Sequence, residues 1–211
     1  MTSSLVEHWR ELTGVTYPVV HPRDRAVFEA ERHSFNLDFP PQAYVGDIEN
    51  APVVILSGNG GYDPSETPEL FRATIAPSEF LQYLHNPTVS KRNKYADYYK
   101  TLNFFDAIMD GQVAIVNAVA YRSPKLSQEK ENRRVAEKLP SVHVHQKWLR
   151  GELFEQARRG ERLVISKRPG HWKIGEREIK NVNGIYCKDF VNRHLSREAK
   201  EKMNEFVRPR M

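Results

Sequence analysis

Three short runs of consecutive apolar residues interrupt the otherwise polar pattern of this chain. Residues 53–56, 113–116 and 163–165 contain no polar position and are rich in β-branched side chains. A run without polar alternation is typical of a strand that is buried on both faces of a parallel sheet. The pattern therefore predicts three central strands, and residues 184–187 are a candidate for one more.

Segments with helical periodicity alternate with these runs. We predict helices at residues 4–12, 25–35, 93–109, 128–138 and 141–159, and one that begins near Ser196. The proline-rich residues 64–87 are expected to form a loop with one helical turn at 79–84. This order predicts an α/β fold, a three-layer α/β/α sandwich with a short, mostly parallel central sheet. At this length we expect one domain, with residues 1–43 as a helical preface and 44–211 as the α/β core.

Composition narrows the function classes. Lys and Arg number 32 against 27 Asp and Glu, which suits a polyanionic partner and equally an ordinary basic surface. The single Cys187 excludes an internal disulfide, a cysteine-rich zinc site and a cysteine-held iron–sulfur cluster. No apolar run approaches the length of a membrane span, and residues 1–10 lack the order of a secretory signal. We therefore expect a cytoplasmic protein with no membrane partner.

The first predicted strand runs into a glycine-rich turn around Asn59. Gly58, Gly60 and Gly61 allow the chain to turn sharply and allow a ligand to approach the backbone closely. The second strand ends at another carboxamide, Asn117. Since ligands of open α/β sheets bind beyond the carboxyl ends of the strands, we expect both asparagines at one ligand site.

Other common chemistries are poorly supported. The glycine turn lacks the Gly-Lys-Ser/Thr ending of a phosphate-binding loop, and no Gly-x-Ser-x-Gly elbow occurs. His143 and His145 are two positions apart, which places them on different sides of a helix with no evident metal-ligand partner. No metal or cofactor is therefore expected.

Three motifs together resemble the uracil-DNA glycosylase superfamily over about residues 44–206. The superfamily's first motif is often Gly-x-Asn-Pro-Gly after a buried strand, and residues 57–61 stand in its place as Ser-Gly-Asn-Gly-Gly. The second is an apolar strand ending in asparagine, matched by residues 113–117, and the third, His-Pro-Ser, is matched loosely by His194-Leu195-Ser196. Ser57, Gly60 and Leu195 depart from the motifs, which would reshape the water-positioning loop and the DNA-wedge loop.

The resemblance implies roles for the two asparagines and two histidines. Asn59 would orient the attacking water through its amide oxygen, with the nearby carboxylate Asp63 as a rival for that water. Asn117 would read the edge of a flipped pyrimidine. His194 would stabilise the departing base, and His171 would replace it if His194 proves remote. The structural alternatives are a turn-forming Asn59, a turn-capping Asp63, a strand-end Asn117 that satisfies backbone groups, and an ordinary surface histidine.

The resemblance also implies an aromatic floor for the base and cations for the phosphates. The floor candidates are Tyr62, Phe71 and Phe80, all of which are equally explained as core. The candidate DNA contacts are Arg122, Lys125, Lys167, Arg168, His171, Trp172, Arg193 and Ser196, where Trp172 would stack on or wedge against a base. Ser196 is equally explained as a helix N-cap.

The implied activity is that of a monofunctional DNA glycosylase without a cofactor. It would hydrolyse the N-glycosidic bond of a flipped-out uracil or modified pyrimidine, such as a modified cytosine in phage DNA, and leave an abasic site. The partner would be single- or double-stranded DNA, the role base-excision repair or antiviral defence, and the protein a monomer. Two alternatives remain open: a glycosylase-fold module that binds nucleic acid or a modified base without cutting, and an α/β enzyme of small nucleotides or nucleosides.

Overall fold

The computed structural model describes residues 2–89, 94–186 and 194–207. Within these ranges five strands form one sheet in the order β1-β3-β2-β4-β5. The strands are β1 Tyr44–Val45, β2 Val53–Asn59, β3 Val113–Val119, β4 Leu163–Ser166 and β5 Gly184–Tyr186. Strand β1 pairs antiparallel with β3, and the other pairings are parallel. The α/β class and the mostly parallel sheet are therefore confirmed.

Helices connect the strands and cover both faces of the sheet. They are α1 Ser4–Arg10, α2 Arg25–Ala30, α3 Glu66–Glu69, α4 Pro77–His85, α5 Asp97–Lys100, α6 Phe105–Met109, α7 Lys130–Ala136, α8 Pro140–Trp148, α9 Phe154–Arg158, α10 Pro169–Trp172, α11 Glu176–Lys180 and α12 Arg197–Val207. Two π-helical segments, Leu70–Thr74 and Leu149–Leu153, continue α3 and join α8 to α9. No helix in the described ranges is both long enough and apolar enough to cross a membrane.

Alternate residues of the central strands enter separate hydrophobic clusters on the two faces. Leu56 and Val116 belong to the cluster that includes Trp9 of α1, whereas Ile55 and Ile115 belong to the cluster that includes Met203 of α12. This alternation follows from the two-residue period of a strand. Both faces are therefore buried, as the unbroken apolar runs predict.

The prediction of one helix over residues 93–109 is wrong, because the helix is interrupted in the middle of this range. Helix α5 ends at Lys100 and α6 begins at Phe105. Between them the Asn103 side chain donates to the Leu195 carbonyl oxygen at 3.0 Å and accepts from the Leu195 amide at 2.9 Å. An asparagine that pairs with a distant backbone segment competes with helix formation, and the hydrophobic period alone does not reveal that competition.

Several other segments differ from the prediction, among them the helix predicted at 25–35, which ends at Ala30. Most of the expected loop at residues 64–87 is helical, in α3, the π-helical turn and α4, which begins at Pro77 as a helix with proline in its first turn does. The helix predicted at 141–159 is present but carries a π-helical insertion at Leu149–Leu153, and Gly160, with a φ of 72°, follows its end. Strand β3 extends past Asn117 to Val119, so Asn117 lies within the strand.

The N-terminal preface packs into the core and is tied to the central sheet by a buried hydrogen-bond chain. The indole of Trp9 in α1 donates to Nε2 of His145 at 2.8 Å, and Nδ1 of His145 donates to the Asn117 backbone oxygen at 2.7 Å. Because a carbonyl oxygen can only accept, His145 carries its proton on Nδ1 and is neutral. Burial lowers the pKa of His145 to about 4, which agrees with this neutral form.

Candidate functional site

A cavity of about 610 Å³ opens at the carboxyl edge of the sheet. Its wall is built by the segments that follow three adjacent parallel strands: Gly60 to Asp63 after β2, Arg122 to Ser127 after β3, and Lys167 to His171 after β4. From the end of β2 the chain crosses to β3, towards one edge of the sheet. From the end of β4 it crosses to β5, towards the other edge. The cavity thus lies at the point where the strand order reverses, which is where open α/β sheets bind their ligands.

Asn59 is the last residue of β2 and lies in the cavity wall. Its Nδ2 donates to the backbone oxygen of Ser123 at 3.0 Å and contacts Oγ of the same residue at 3.1 Å. Because the carbonyl can only accept, these contacts fix the amide with its nitrogen on Ser123. The amide oxygen is therefore the end of Asn59 that is available to accept a hydrogen bond from water.

Asn117 lies on the same sheet face and in the same cavity wall. It pairs in register with Ser57, two residues before Asn59, so both amides project from the face that carries Ile55 and Ile115. Its Nδ2 donates to the Gln42 backbone oxygen at 2.7 Å, and the side chain is only 1% exposed. The amide is thus held rigidly, and one of its donors already satisfies the backbone.

Two glycines of the turn allow close approaches that a larger residue would block. A Cβ on Gly60 would lie 2.6 Å from the Ala120 backbone oxygen, and a Cβ on Gly58 would lie 3.2 Å from the His171 ring. The tight packing at Gly60 brings the turn against the end of β3. The space at Gly58 allows the imidazole of His171 to lie directly over the end of β2.

Arg122 is buried in the cavity wall, at 4% exposure. Its Nε donates to the Pro40 oxygen at 3.1 Å, and Nη1 donates to Oε1 of Gln42 at 3.2 Å and to the Gly60 oxygen at 3.3 Å. Its Nη2 is buried and has no hydrogen-bond partner. Burial lowers the pKa of Arg122 to about 10, so the guanidinium remains charged at neutral pH. Burial keeps Arg122 away from the exposed surface where a phosphate contact is expected, and its role as a DNA contact stays a prediction.

Other basic groups surround the mouth and wall of the same cavity. Lys125 and Arg168 are exposed, whereas Lys167 is buried with its ammonium 5.7 Å from the centre of the Phe104 ring. The pKa of His171 is lowered by burial first and then by Arg168 and Arg133, so this imidazole is neutral at neutral pH. Lys125 and Arg168 are thus accessible to a ligand at the mouth, Lys167 is largely enclosed, and His171 has access to a ligand in the cavity.

Asp63 lies in the wall, but its carboxylate is committed to the turn. Its Oδ1 accepts from the amide and the hydroxyl of Ser65, at 2.8 and 2.6 Å, and from the amide of Glu66 at 3.0 Å. These bonds lower the pKa of Asp63, the Ser65 hydroxyl most strongly. A stabilised anion that caps a helix start is a weak base, so the capping alternative describes Asp63 better than the water-activating one.

The predicted aromatic floor is only partly present. Tyr62 lies in the cavity wall, whereas Phe71 and Phe80 do not. The rings of Phe71 and Phe80 lie 5.3 and 5.5 Å from the guanidinium carbon of Arg122 and hold that side chain in place. Tyr98 and Tyr99 of α5, which the motif comparison does not single out, line the cavity in their place.

Trp172 and the third motif are also placed differently from the prediction. Trp172 is fully buried and its indole donates to the Ser57 oxygen at 2.7 Å, so it cannot stack on or wedge against a base. His194 is outside the described cavity wall, where its Nδ1 accepts from the Asn103 amide at 3.2 Å. Ser196 accepts from the Ala199 amide at 3.2 Å and acts as the N-cap of α12. Arg193 lies outside the described residues.

The site is supported by three residues that the sequence analysis did not identify. Ser123 orients the amide of Asn59, Gln42 contacts both Asn117 and Arg122, and Tyr99 lines the cavity wall. None belongs to a recognisable motif, because each is brought to the site by tertiary pairing. The one sequence feature that could have pointed to any of these residues is that Ser123 directly follows Arg122 in the loop after β3.

The chemistry of the cavity is that of hydrogen bonding and charge. Within the described ranges no group of three or more His, Cys, Asp or Glu side chains is arranged to hold a metal ion. Comparison of the chain with family models, with curated proteins and with solved structures finds no match. The function is therefore argued from the geometry and chemistry of this cavity.

Proposed function

We propose that this chain is a monofunctional DNA glycosylase with a uracil-DNA glycosylase-like fold, which removes a flipped-out uracil or modified pyrimidine from DNA. The observation that carries the proposal is the convergence of Asn59 and Asn117 on one cavity at the carboxyl edge of the sheet. Their convergence was expected from the sequence alone. A cavity of about 610 Å³ is within the usual size range of small-molecule sites and has room for an everted nucleotide.

The proposed reaction is hydrolysis at C1′ of the deoxyribose. The C1′–N bond breaks and its electron pair leaves with the base, while a water oxygen bonds to the oxocarbenium-like carbon. The proton lost by the water balances the proton gained by the base. Asn59 holds this water through its amide oxygen, since Ser123 holds its nitrogen. No strong base is required, because the carbon under attack is already electron-poor in the transition state.

Base recognition falls to the groups around Asn117. Its amide is immobilised by Gln42, and a rigid amide discriminates between hydrogen-bonding partners better than a mobile one. Tyr62 and Tyr98 provide aromatic surface in the wall for the flipped ring. His171 takes the role first assigned to His194, since it lies in the cavity and is neutral, and a neutral imidazole can donate one hydrogen bond to the departing base.

DNA binding is assigned to the exposed cations at the mouth. Lys125 and Arg168 lie on opposite sides of the opening, one after β3 and one after β4. Contacts of this kind to phosphates are independent of sequence and weaken as salt is raised. In this proposal the partner is DNA, and the contacts are to its backbone and to one everted base.

The test is an abasic-site assay. Duplex and single-stranded oligonucleotides that contain uracil or modified cytosines are incubated with the protein and then treated with alkali, which breaks the strand at abasic sites. We expect breaks at one class of modified position with the wild-type protein and a large loss of breaks with Asn59→Ala. Lys147→Ala, which changes an exposed residue of α8 outside the cavity, is the control.

A binding module that does not cut is the second candidate. It is favoured by one observation: the carboxylate nearest to Asn59 along the chain, that of Asp63, is tied to Ser65 and Glu66 and is a poor base. The same assay separates the two candidates. Salt-sensitive DNA binding without any alkali-labile breaks would replace the enzyme with the module.

A further inference from the structure

Arg122 carries a buried charge without a counter-ion. No carboxylate of the described residues forms an ion pair with it, and its hydrogen bonds go to four neutral oxygens, those of Pro40, Gln42, Gly60 and Gly61. Burial of a charge is costly unless the charge is paired, so an unpaired guanidinium inside a protein is unusual. The cost is reduced here by the aromatic rings of Phe71 and Phe80, but these do not neutralise the charge.

The guanidinium also retains unused hydrogen-bonding capacity. Nε and Nη1 are occupied, whereas the two hydrogens of Nη2 are buried and have no acceptor. A buried donor without an acceptor costs about 1–3 kcal/mol. The charge would be compensated by one anionic oxygen in the cavity, whose wall Arg122 helps to form.

We propose that Arg122 is the anion-recognition residue of this cavity, and that its ligand is the negatively charged pyrimidine base formed when the glycosidic bond breaks. This inference rests on the proposed function and adds a catalytic residue to it. The guanidinium charge stabilises the ring carbonyl oxygen onto which the electron pair of the C1′–N bond is delocalised. The interaction strengthens as that bond breaks, because the oxygen is neutral in the substrate and negative in the departing base.

The position of Arg122 favours a base over a phosphate. The phosphates of an extruded nucleotide remain on the DNA backbone at the mouth, where Lys125 and Arg168 are exposed. Arg122 is 4% exposed and lies beside the amides of Gln42 and Asn117, which match the edge of a nucleobase. A buried cation is also more effective against charge that appears only inside the site, since water screens it less.

The test compares the binding of three probes by isothermal titration calorimetry. The probes are uracil, which is neutral, 5-nitrouracil at a pH where its ring is ionised, and inorganic phosphate. We expect the wild-type protein to bind ionised 5-nitrouracil at least ~10-fold more tightly than uracil, as one charge-assisted hydrogen bond allows. Arg122→Gln removes this preference, whereas Arg162→Gln, which removes another buried guanidinium bonded to backbone carbonyls, retains it.

A second measurement separates charge stabilisation from a purely structural role. Cleavage rates are compared for substrates whose leaving bases differ in acidity, such as uracil and 5-fluorouracil. Arg122→Gln should lose more rate with the less acidic base, because the missing charge matters most where the departing base is least stable. An equal loss with both bases, or phosphate binding that displaces ionised 5-nitrouracil, overturns the proposal.

The two proposals fail in different ways. Preference for the ionised base without any cleavage of DNA would refute the reaction and leave the anion site in place. Cleavage with no preference for the ionised base, in the wild-type protein, would refute the role of Arg122 and leave the reaction in place.

Discussion

The two ends of the sheet each contain a buried arginine, and their surroundings differ. At the amino end, Arg162 precedes β4 and donates to the Ile48 and Glu49 oxygens, beside a hollow of about 970 Å³ under α1. At the carboxyl end, Arg122 follows β3 beside the cavity of about 610 Å³. Both guanidinium groups are held by backbone carbonyls, and burial lowers the pKa of both.

The difference lies in the neighbouring charge. Four carboxylates act on Arg162 and offset part of the effect of burial on its pKa: Asp47, Glu49, Glu152 and Glu161. No carboxylate of the described residues offsets the effect of burial on the pKa of Arg122, and Tyr99, the group that does raise it, is uncharged at neutral pH because burial raises the pKa of its own hydroxyl. The larger hollow is therefore lined by charges that already compensate one another, as in the Arg23–Glu11 pair at its rim. Size alone does not identify the site; the smaller cavity has the uncompensated charge and the convergent amides.

The largest expected effect is on catalysis at the carboxyl end. We predict that Asn59→Ala lowers the rate of base removal by about 100- to 1,000-fold, because one oriented polar group in a transition state is worth that much. DNA affinity should change little, since Asn59 makes no phosphate contact in this account. Single-turnover rates and a binding titration check the two parts. A variant that cuts as fast as wild type would contradict the role of Asn59.

The second-largest effect is predicted from a direct comparison of variants of the two arginines. Arg122→Gln should lower the cleavage rate by ~100-fold, whereas Arg162→Gln should leave it within about a factor of two. Arg162→Gln should lower the free energy of unfolding by about 2–3 kcal/mol, because it loses charge-assisted bonds to backbone carbonyls. Arg122→Gln should lower it less, because the lost bonds are offset by removal of an uncompensated charge and an unpartnered donor. Urea unfolding of both variants beside their cleavage rates provides the measurement. Equal losses of rate would mean that the two ends are not functionally distinct.

Acid should destabilise the buried layer under α1. Burial lowers the pKa of His8 to about 3 and that of His145 to about 4, from 6.5. Between pH 6.5 and 4 the unfolded chain therefore binds more protons than the folded chain, and stability falls as pH falls. We predict a loss of about 4–5 kcal/mol over this window, measured by urea unfolding at several pH values.

A variant isolates the contribution of His8. Both ring nitrogens of His8 are buried without a partner, and its ring stacks on His21 at 3.9 Å. His8→Phe keeps the ring and removes the titration, so it should reduce the loss at low pH. The exposed His143→Ala serves as the control and should leave the pH dependence unchanged. An unaltered pH profile in His8→Phe would exclude this histidine as the source.

The smallest effect is predicted for the stability of variants at two glycines of one turn. Gly60→Ala places a methyl group 2.6 Å from the Ala120 oxygen and should cost about 1–3 kcal/mol, because backbone must move. Gly61→Ala meets no atom within 4 Å, and only its φ of 63° opposes the change, at a cost of about 1 kcal/mol. Thermal unfolding of both variants checks the order. A larger loss at Gly61 would show that conformation, rather than the close approach, fixes this turn.

The sheet was predictable from the sequence and much of the site was not. The apolar runs determine which strands are buried, and the order of parallel strands brings Asn59 and Asn117 to one edge without any knowledge of tertiary contacts. The loops resist prediction because their side chains pair across the fold. Arg122 reads as a surface cation in sequence, yet the approach of residues 40–42 buries it. Trp172 reads as an aromatic wedge, yet its indole is taken by Ser57.

The central claim is that the carboxyl-edge cavity releases a pyrimidine from DNA, and the most direct measurement is the release of the free base. DNA that contains uracil or a modified cytosine is incubated with the protein, and the liberated base is identified by mass spectrometry. The account predicts that one pyrimidine is released by the wild-type protein and that Asn59→Ala releases it at least ~100-fold more slowly. Tight binding of the same DNA with no free base from any of these substrates would contradict the account.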